Sequence, residues 1–244
     1  MLRIYHTSDI HNHLGFAPAL ALMRAAQPGM LIDCGDSLHG SQTVYYRNEP
    51  VIAEMNAAGY DLGVPGNREF HYLHHFMRAR LEKMHRPLVC ANLVDMFRRP
   101  LPFVKDLTLF FDQRRKVRFF GLIVEQYPLG SLWERLFGWR FLDPFVVAHE
   151  VAASCSSDEV LILLSHLGLR MDRRIAEAVP RIDVILGGHS HDTLHEPEEI
   201  GGVKIVHAGP YARFVSVTEL AFEAGDPRAR VVRSALLPLL QGAQ

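Results

Sequence analysis

Asp9 and His11 stand two residues apart, directly after the run Leu2-Arg3-Ile4-Tyr5-His6, which reads as a strand. A carboxylate oxygen and an imidazole nitrogen at a strand end can face one cation. That mixed donor set suits Mn, Fe or Zn better than Mg or Ca, which prefer oxygen alone. Four further clusters repeat the plan: Gly35-Asp36-Ser37-Leu38-His39-Gly40, Gly66-Asn67-Arg68-Glu69, Ser165-His166-Leu167-Gly168 and Gly187-Gly188-His189-Ser190-His191. Each stands where an apolar strand should end. Together they offer two aspartates (Asp9, Asp36), one asparagine (Asn67) and four histidines (His11, His166, His189, His191). Seven such donors can hold two metals that share one bridging carboxylate, with positions left for water and substrate. Two cations about 3.5–4 Å apart can clamp a phosphoryl oxygen, lower the pKa of a bridging water and steady the departing oxygen. Taken singly, each cluster reads more cheaply as a satisfied polar loop; five in order at strand ends argue for a site.

The elements that must carry these clusters alternate. Leu2 to His6, Met30 to Asp33, Asp61 to Val64, Leu88 to Asn92, Glu159 to Ser165 and Ile182 to Leu186 read as strands. Phe16 to Ala26, Glu49 to Ala58, His71 to His85, Pro144 to Ser154 and Asp172 to Val179 read as helices from their apolar spacing. Phe103 to Phe111 and Val117 to Val124 suggest an antiparallel pair joined by the basic turn Gln113-Arg114-Arg115-Lys116, and residues 125 to 142 an irregular connector. Val203 to His207, Phe214 to Phe222 and Arg230 to Leu237 are late strands, with turn signals at Gly209-Pro210 and Gly225-Asp226-Pro227. Alternating strands and helices with polar residues after the strands give an α/β fold whose site lies at the strands' carboxyl ends. The late strands, with little helix between them, suggest a second and more antiparallel sheet packed on the first. The 244 residues show no repeat or linker, so residues 1–244 are expected to form one domain.

Composition narrows the function classes. With 26 basic and 27 acidic residues the formal net charge is -1, which gives no electrostatic case for a nucleic acid polymer or an anionic membrane. Cys34, Cys90 and Cys155 form no CxxC pair and lie in apolar or small-residue surroundings, as free thiols of a reducing compartment do. The chain runs from Met1 straight into a strand without a leader pattern, and no apolar run approaches the roughly 20 residues of a membrane span. A cytoplasmic protein acting on a small phosphorylated substrate is expected, and nothing specifies an oligomeric state.

The ordered motifs Asp-x-His, Gly-Asp-x-x-x-Gly, Gly-Asn-x-Glu, Ser-His and Gly-Gly-His-x-His resemble those of the calcineurin-like metallophosphoesterases. The wording His-Thr-x-Asp-x-His, Gly-Asn-x-Glu-Phe and Gly-Gly-His-Ser-His is similar to the branch of 5′-nucleotidases and UDP-sugar hydrolases, over roughly residues 2 to 223. The resemblance implies a four-layer α-β-β-α sandwich with two mixed β-sheets. It also implies two divalent metal ions, Mn favoured over Fe or Zn. Asp9, His11, Asp36 and His191 would surround one and Asp36, Asn67, His166 and His189 the other, with Asp36 bridging. The implied reaction is hydrolysis of a phosphomonoester or phosphodiester, nucleotide-like or not, by attack of metal-bound hydroxide.

Two departures bear on that reaction. Where the family motif has histidine this chain has Arg68, and the aspartate that pairs with that histidine in the nucleotidase branch is His71. Arg68 can grip phosphate with two prongs, but a guanidinium with a pKa above about 12 gives up no proton. His71 is the candidate acid, since an unperturbed imidazole near about 6.5 suits that work. The alternative is a metal-loaded protein that binds a phosphorylated ligand without cleaving it; survival of all seven ligand positions favours hydrolysis. The second departure is length: the C-terminal domain of that branch, which stacks the base, is expected to be absent, which leaves an open site for a small phosphoester. Asn67, Arg68, His39 and His207 are the candidate substrate contacts, His207 because it ends a strand on the ligand side. His13 and His39 are placed to orient ligands, and Asn92 is an outside candidate; His6, His74, His75 and His85 read as packing or solvated residues.

Overall fold

The computed structural model describes residues 1–111, 115–222 and 229–240. In chain order the elements are β1 (Leu2–Thr7), α1 (Ala17–Ala26), β2 (Met30–Asp33), α2 (Pro50–Ala58), β3 (Leu62–Gly63), α3 (His74–Leu81), β4 (Leu93–Asp95), β5 (Asp106–Phe111), β6 (Arg115–Ile123), α4 (Leu132–Phe137), β7 (Trp139–Phe141), α5 (Pro144–Ser154), β8 (Glu159–His166), α6 (Leu169–Ala178), β9 (Val184–Gly187), β10 (Glu198–Ile200), β11 (Val203–His207), β12 (Phe214–Phe222) and β13 (Ala229–Pro238). They build a five-stranded sheet in the order β13-β12-β1-β2-β3, a six-stranded sheet in the order β10-β11-β9-β8-β6-β5, and a small β4-β7 pair. Both large sheets are mixed: β1, β2 and β3 are parallel with β12 and β13 antiparallel, and β6, β8, β9 and β11 are parallel with antiparallel edges.

The period-2 alternation of side chains sorts residues into three packed interfaces. Ile4 and Ile32 face inward onto Phe119, Ile162, Leu164, Val184 and Leu186, and this dry layer glues the sheets together. Their chain neighbours Tyr5 and Leu31 face outward onto Phe16 and Leu20 around α1 and Val51 and Met55 of α2. On the far side Leu161, Leu163 and Ile185 face Val147 and Val151 of α5 and Ile175 of α6. Every residue of β8 is buried, which explains its unbroken apolar reading. The result is the expected four-layer α-β-β-α sandwich.

Three local expectations are corrected. The late strands do not form their own sheet. β12 extends the first sheet antiparallel to β1, with Leu2 opposite Leu220 and His6 opposite Ser216, and β13 pairs antiparallel with β12, while β11 pairs parallel with β9 in the second. The segment from Leu88 to Asn92 is no strand: Val89 bonds the carbonyl of Gly63 in the first sheet and Ala91 that of Gly121 in the second, so the chain crosses from one sheet to the other. Within 71–85 only His74–Leu81 is helical, because the His71 ring takes the Leu73 N–H and tight Lys83 and Met84 turns end the helix. The connector contains α4 and β7. Gln113-Arg114 and Gly225-Asp226-Pro227 lie outside the described residues.

Candidate metal centre

The loops after β1 and β2 run side by side. Backbone N–H groups of Asp9, His11 and Asn12 donate to the carbonyls of Gly35, Asp36 and Ser37 at 2.8, 3.0 and 2.8 Å. That tracking is possible because Asp9, His11, Asn12 and Asp36 all adopt left-handed backbone, with φ of 53°, 49°, 60° and 57°. His189 and His191 do the same at 79° and 60°. Such conformations cost energy in non-glycine residues and gather where a fold over-determines a functional geometry. Five of the seven ligand candidates are among them.

Glu69 fixes the third loop. Its buried carboxylate accepts the N–H groups of Asp36 and Gly66 at 2.8 Å each, Ser37 at 3.0 Å and Leu38 at 3.3 Å. Burial, with Asp36 and Asp33 nearby, pushes this carboxyl up to about 7. The clamp draws Gly66 against Asp36, where a side chain at 66 would collide with the Asp36 backbone and lie 2.8 Å from the His166 ring. Asn67 and Arg68 follow in place, and the Arg68 N–H donates to Asp36 Oδ1 at 2.7 Å.

The side chains then converge in two groups. Asp9, His11 and His191 form one, with His11 Nε2 2.9 Å from His191 Nε2 and the latter 3.7 Å from Asp9 Oδ1. Asp36, His166 and His189 form the other, with His166 Nε2 3.4 Å from Asp36 Oδ1. Asn67 Oδ1 lies 3.1 Å from both His166 Nε2 and His189 Nδ1. The groups are stitched together by the His189 N–H, which donates to the Asp9 carboxylate at 3.0–3.1 Å.

The electrostatics suit a cation. Burial raises Asp9, with Asp36 adding to the rise against the pull of His166. Burial acts against ionisation of Asp36 too, but His166 and the Arg68 N–H hold it down to about 2. Burial likewise opposes a charge on His166, yet Asp36 and Asp9 carry it up to about 10. His11 and His189 are held down at about 4, chiefly by burial. The negative field that keeps a proton on His166 is one a divalent cation can replace. His166 Nδ1 sits 2.7 Å from the Cys34 carbonyl and must carry the hydrogen there, which leaves Nε2 to the site. Donor atoms roughly 3 Å apart match bonds of about 2.0–2.2 Å to a shared ion, so this donor set fits two metals.

The remaining candidates divide. Arg68 is at the rim of the second group, its guanidinium on the carbonyls of His39 and Gly40 at 3.2 Å each. His39 is exposed beside it, its ring tilted against that of Tyr46. His71 belongs to neither triad: it is buried, packs on Phe76 and accepts the Leu73 N–H, and burial holds it down at about 4. His207 does not line the cleft either. It is buried and bonds Asp172 Oδ2 at 2.8 Å, because Val203, Ile205 and His207 alternate onto the helix-covered face. Asn92 is spent on the backbone of Ile123. Tyr211 had no sequence signal, yet its ring lies 4.8–5.8 Å from those of His11, His13 and His191 and its N–H bonds the Asp9 carbonyl.

A two-sheet α/β sandwich with two metal-ready triads at the carboxyl ends of parallel strands defines a candidate dinuclear metalloprotein. The chain belongs to the calcineurin-like phosphoesterase family, whose model matches residues 2–193. It is 28% identical over 237 residues to the metallophosphoesterase YunD of Bacillus subtilis, covering 91% of this chain and 50% of that one. It is 23% identical over 288 residues to the snake venom 5′-nucleotidase of Naja atra, covering 98% and 53%. The 5′-nucleotidase precursor of Thermus thermophilus superposes with a TM-score of 0.79 at 23% identity, over 98% of this chain and 54% of that one, and so shares the fold. The chain thus spans about half the length of these relatives and is similar to the N-terminal domain of 5′-nucleotidases.

Proposed function

We propose that this protein is a dinuclear metal-dependent phosphoesterase that hydrolyses a small phosphomonoester or phosphodiester. The observation that carries this reading is the convergence of all seven candidate ligands, five of them on left-handed backbone, within one pair of linked clusters. Asp9, His11, Asp36 and His191 would hold one divalent ion and Asp36, Asn67, His166 and His189 the other, with manganese favoured by the mixed donors. Such ions supply Lewis acidity and an acidified water.

The chain's own residues do the rest. Cys34 orients His166, Glu69 fixes the Asp36 and Asn67 loops, and the His189 N–H orients Asp9. Arg68, released from the His39 and Gly40 carbonyls, offers a two-pronged donor to phosphoryl oxygens. Arg68 supplies no proton and His71 is buried with its ring turned to the Leu73 N–H, so esters whose leaving group departs unprotonated suit the site. The free thiols favour a reducing compartment, and we place the protein in the cytoplasm on that basis.

A second reading rests on the same arginine: with its guanidinium occupied by carbonyls, the protein holds a phosphorylated ligand without turning it over. Hydrolysis of aryl phosphomonoesters and phosphodiesters with and without manganese separates the two, with Asp36→Asn in parallel. Turnover lost both to chelation and in the variant supports the esterase. Manganese-dependent binding of phosphate with turnover no greater than that of Asp36→Asn supports the second reading.

A further inference from the structure

Ser165, Gly187 and His207 occupy one row across three adjacent parallel strands, Ser165 and His207 each registered opposite Gly187. They continue the face of Leu163, Ile185 and Ile205, which packs under α5 and α6. Asp172, in the first turn of α6, is fully buried and drops its carboxylate onto this row. One oxygen accepts the Ser165 hydroxyl and the other lies 2.8 Å from His207 Nε2. The carboxylate occupies the space a side chain at 187 would need, since a Cβ there would collide with both Asp172 Oδ2 and His207 Nε2. This is the last row before the loops. His166 follows Ser165 directly, Gly188 donates its N–H to the Ser165 carbonyl at 2.9 Å, and His189 comes next.

We infer that Asp172 is a positioning residue for the half of the metal centre built on His166 and His189. Its carboxylate bonds the ends of β8 and β11 to α6 across β9, which is paired between them, so the two imidazoles emerge from strands held at one relative height. Small displacements matter there, because outer partners of metal ligands typically carry about 10–100-fold in metal affinity. The inference rests on the metal-centre reading above but does not need turnover for its test.

The experiment is manganese titration of metal-free protein by calorimetry, with electron paramagnetic resonance of the loaded forms, for the parent, Asp172→Ala, Asp172→Asn and Ser165→Ala. The expected result is that Asp172→Ala keeps one tight site, binds the second manganese about 10–100-fold more weakly and loses the spin-coupled signal. Asp172→Asn, which can still accept from Ser165 and reach His207, should recover most of that affinity. Ser165→Ala removes one arm at little cost in volume and should weaken the second site if Asp172→Ala does not fold. Parent-like binding of both ions and parent-like coupling in Ser165→Ala and in a folded Asp172→Ala would overturn the inference, whatever the change in melting temperature. A parent that binds two manganese ions without hydrolysing any ester overturns the proposed function and leaves this inference decided by the titration. A parent that binds none overturns both.

Discussion

At Arg68 the backbone and side chain have separate tasks. The N–H bonds Asp36 Oδ1 at 2.7 Å, and any residue but proline at this position can do that; the guanidinium is the part that distinguishes this chain. Arg68→Ala should keep the metals and lower kcat/KM for a phosphoester roughly 100-fold, the scale of losing one transition-state donor. Arg68→His should introduce a fall in rate above about pH 6.5 that the parent lacks, because imidazole can donate a proton and guanidinium cannot. A pH–rate profile of the two forms decides it. His6 tests a different residue-level claim. It is fully buried against Ser216, and burial, then His207, lowers its pKa from 6.5 to about 3. Below pH 6.5 the unfolded chain takes up a proton that the folded form refuses, so this contribution to stability is complete above 6.5 and is lost as pH falls towards 3. In chelator, the unfolding free energy from urea titration should decline less steeply over that window for His6→Gln than for the parent, by up to about 1.4 kcal/mol per pH unit.

Among the elements, the loops are held more tightly than their sequence suggests. Glu69 satisfies four backbone N–H groups on two loops, so Glu69→Ala should cost at least about 3 kcal/mol, read from urea unfolding of metal-free protein. A loss within about 0.5 kcal/mol would mean the loops are set elsewhere. The strand ends bearing ligands were legible because short apolar runs followed by Gly, Asp or His signal their own termination. Strand pairing was less so: β12 and β13 carry the same alternating pattern whichever sheet they join, and polar pairs such as His6–Ser216 and Arg3–Glu219 against β1 mark the place of β12. His207 ends a strand on the ligand side, but the parity of Val203, Ile205 and His207 turns its ring onto the helix-covered face and Asp172. Tyr211 was invisible, since it reaches the histidines only through two successive left-handed residues, Tyr211 and Ala212, that no local pattern announces.

For the molecule as a whole, the seven ligand candidates come from strand ends of both sheets: Asp9, His11, Asp36 and Asn67 follow strands of the first, while His166 ends β8 and His189 and His191 follow β9 of the second. A cation shared between them crosslinks the two halves of the sandwich. Each site filled at about 100 times its dissociation constant should add about 2.7 kcal/mol, which for a chain of this size raises the melting temperature by roughly 5–10 °C. Scanning calorimetry with manganese and with chelator measures that rise. Its absence in metal-binding protein would mean that the unfolded chain holds the ions as well as the folded one does, and that no folded crosslink is made.

The most direct measurement of the central claim is phosphate release from an aryl ester as manganese is titrated into metal-free protein. The account predicts little turnover through the first equivalent and a rise that saturates with the second, abolished in Asp36→Asn. Full activity at one equivalent, or turnover that ignores both manganese and Asp36, would contradict a dinuclear esterase.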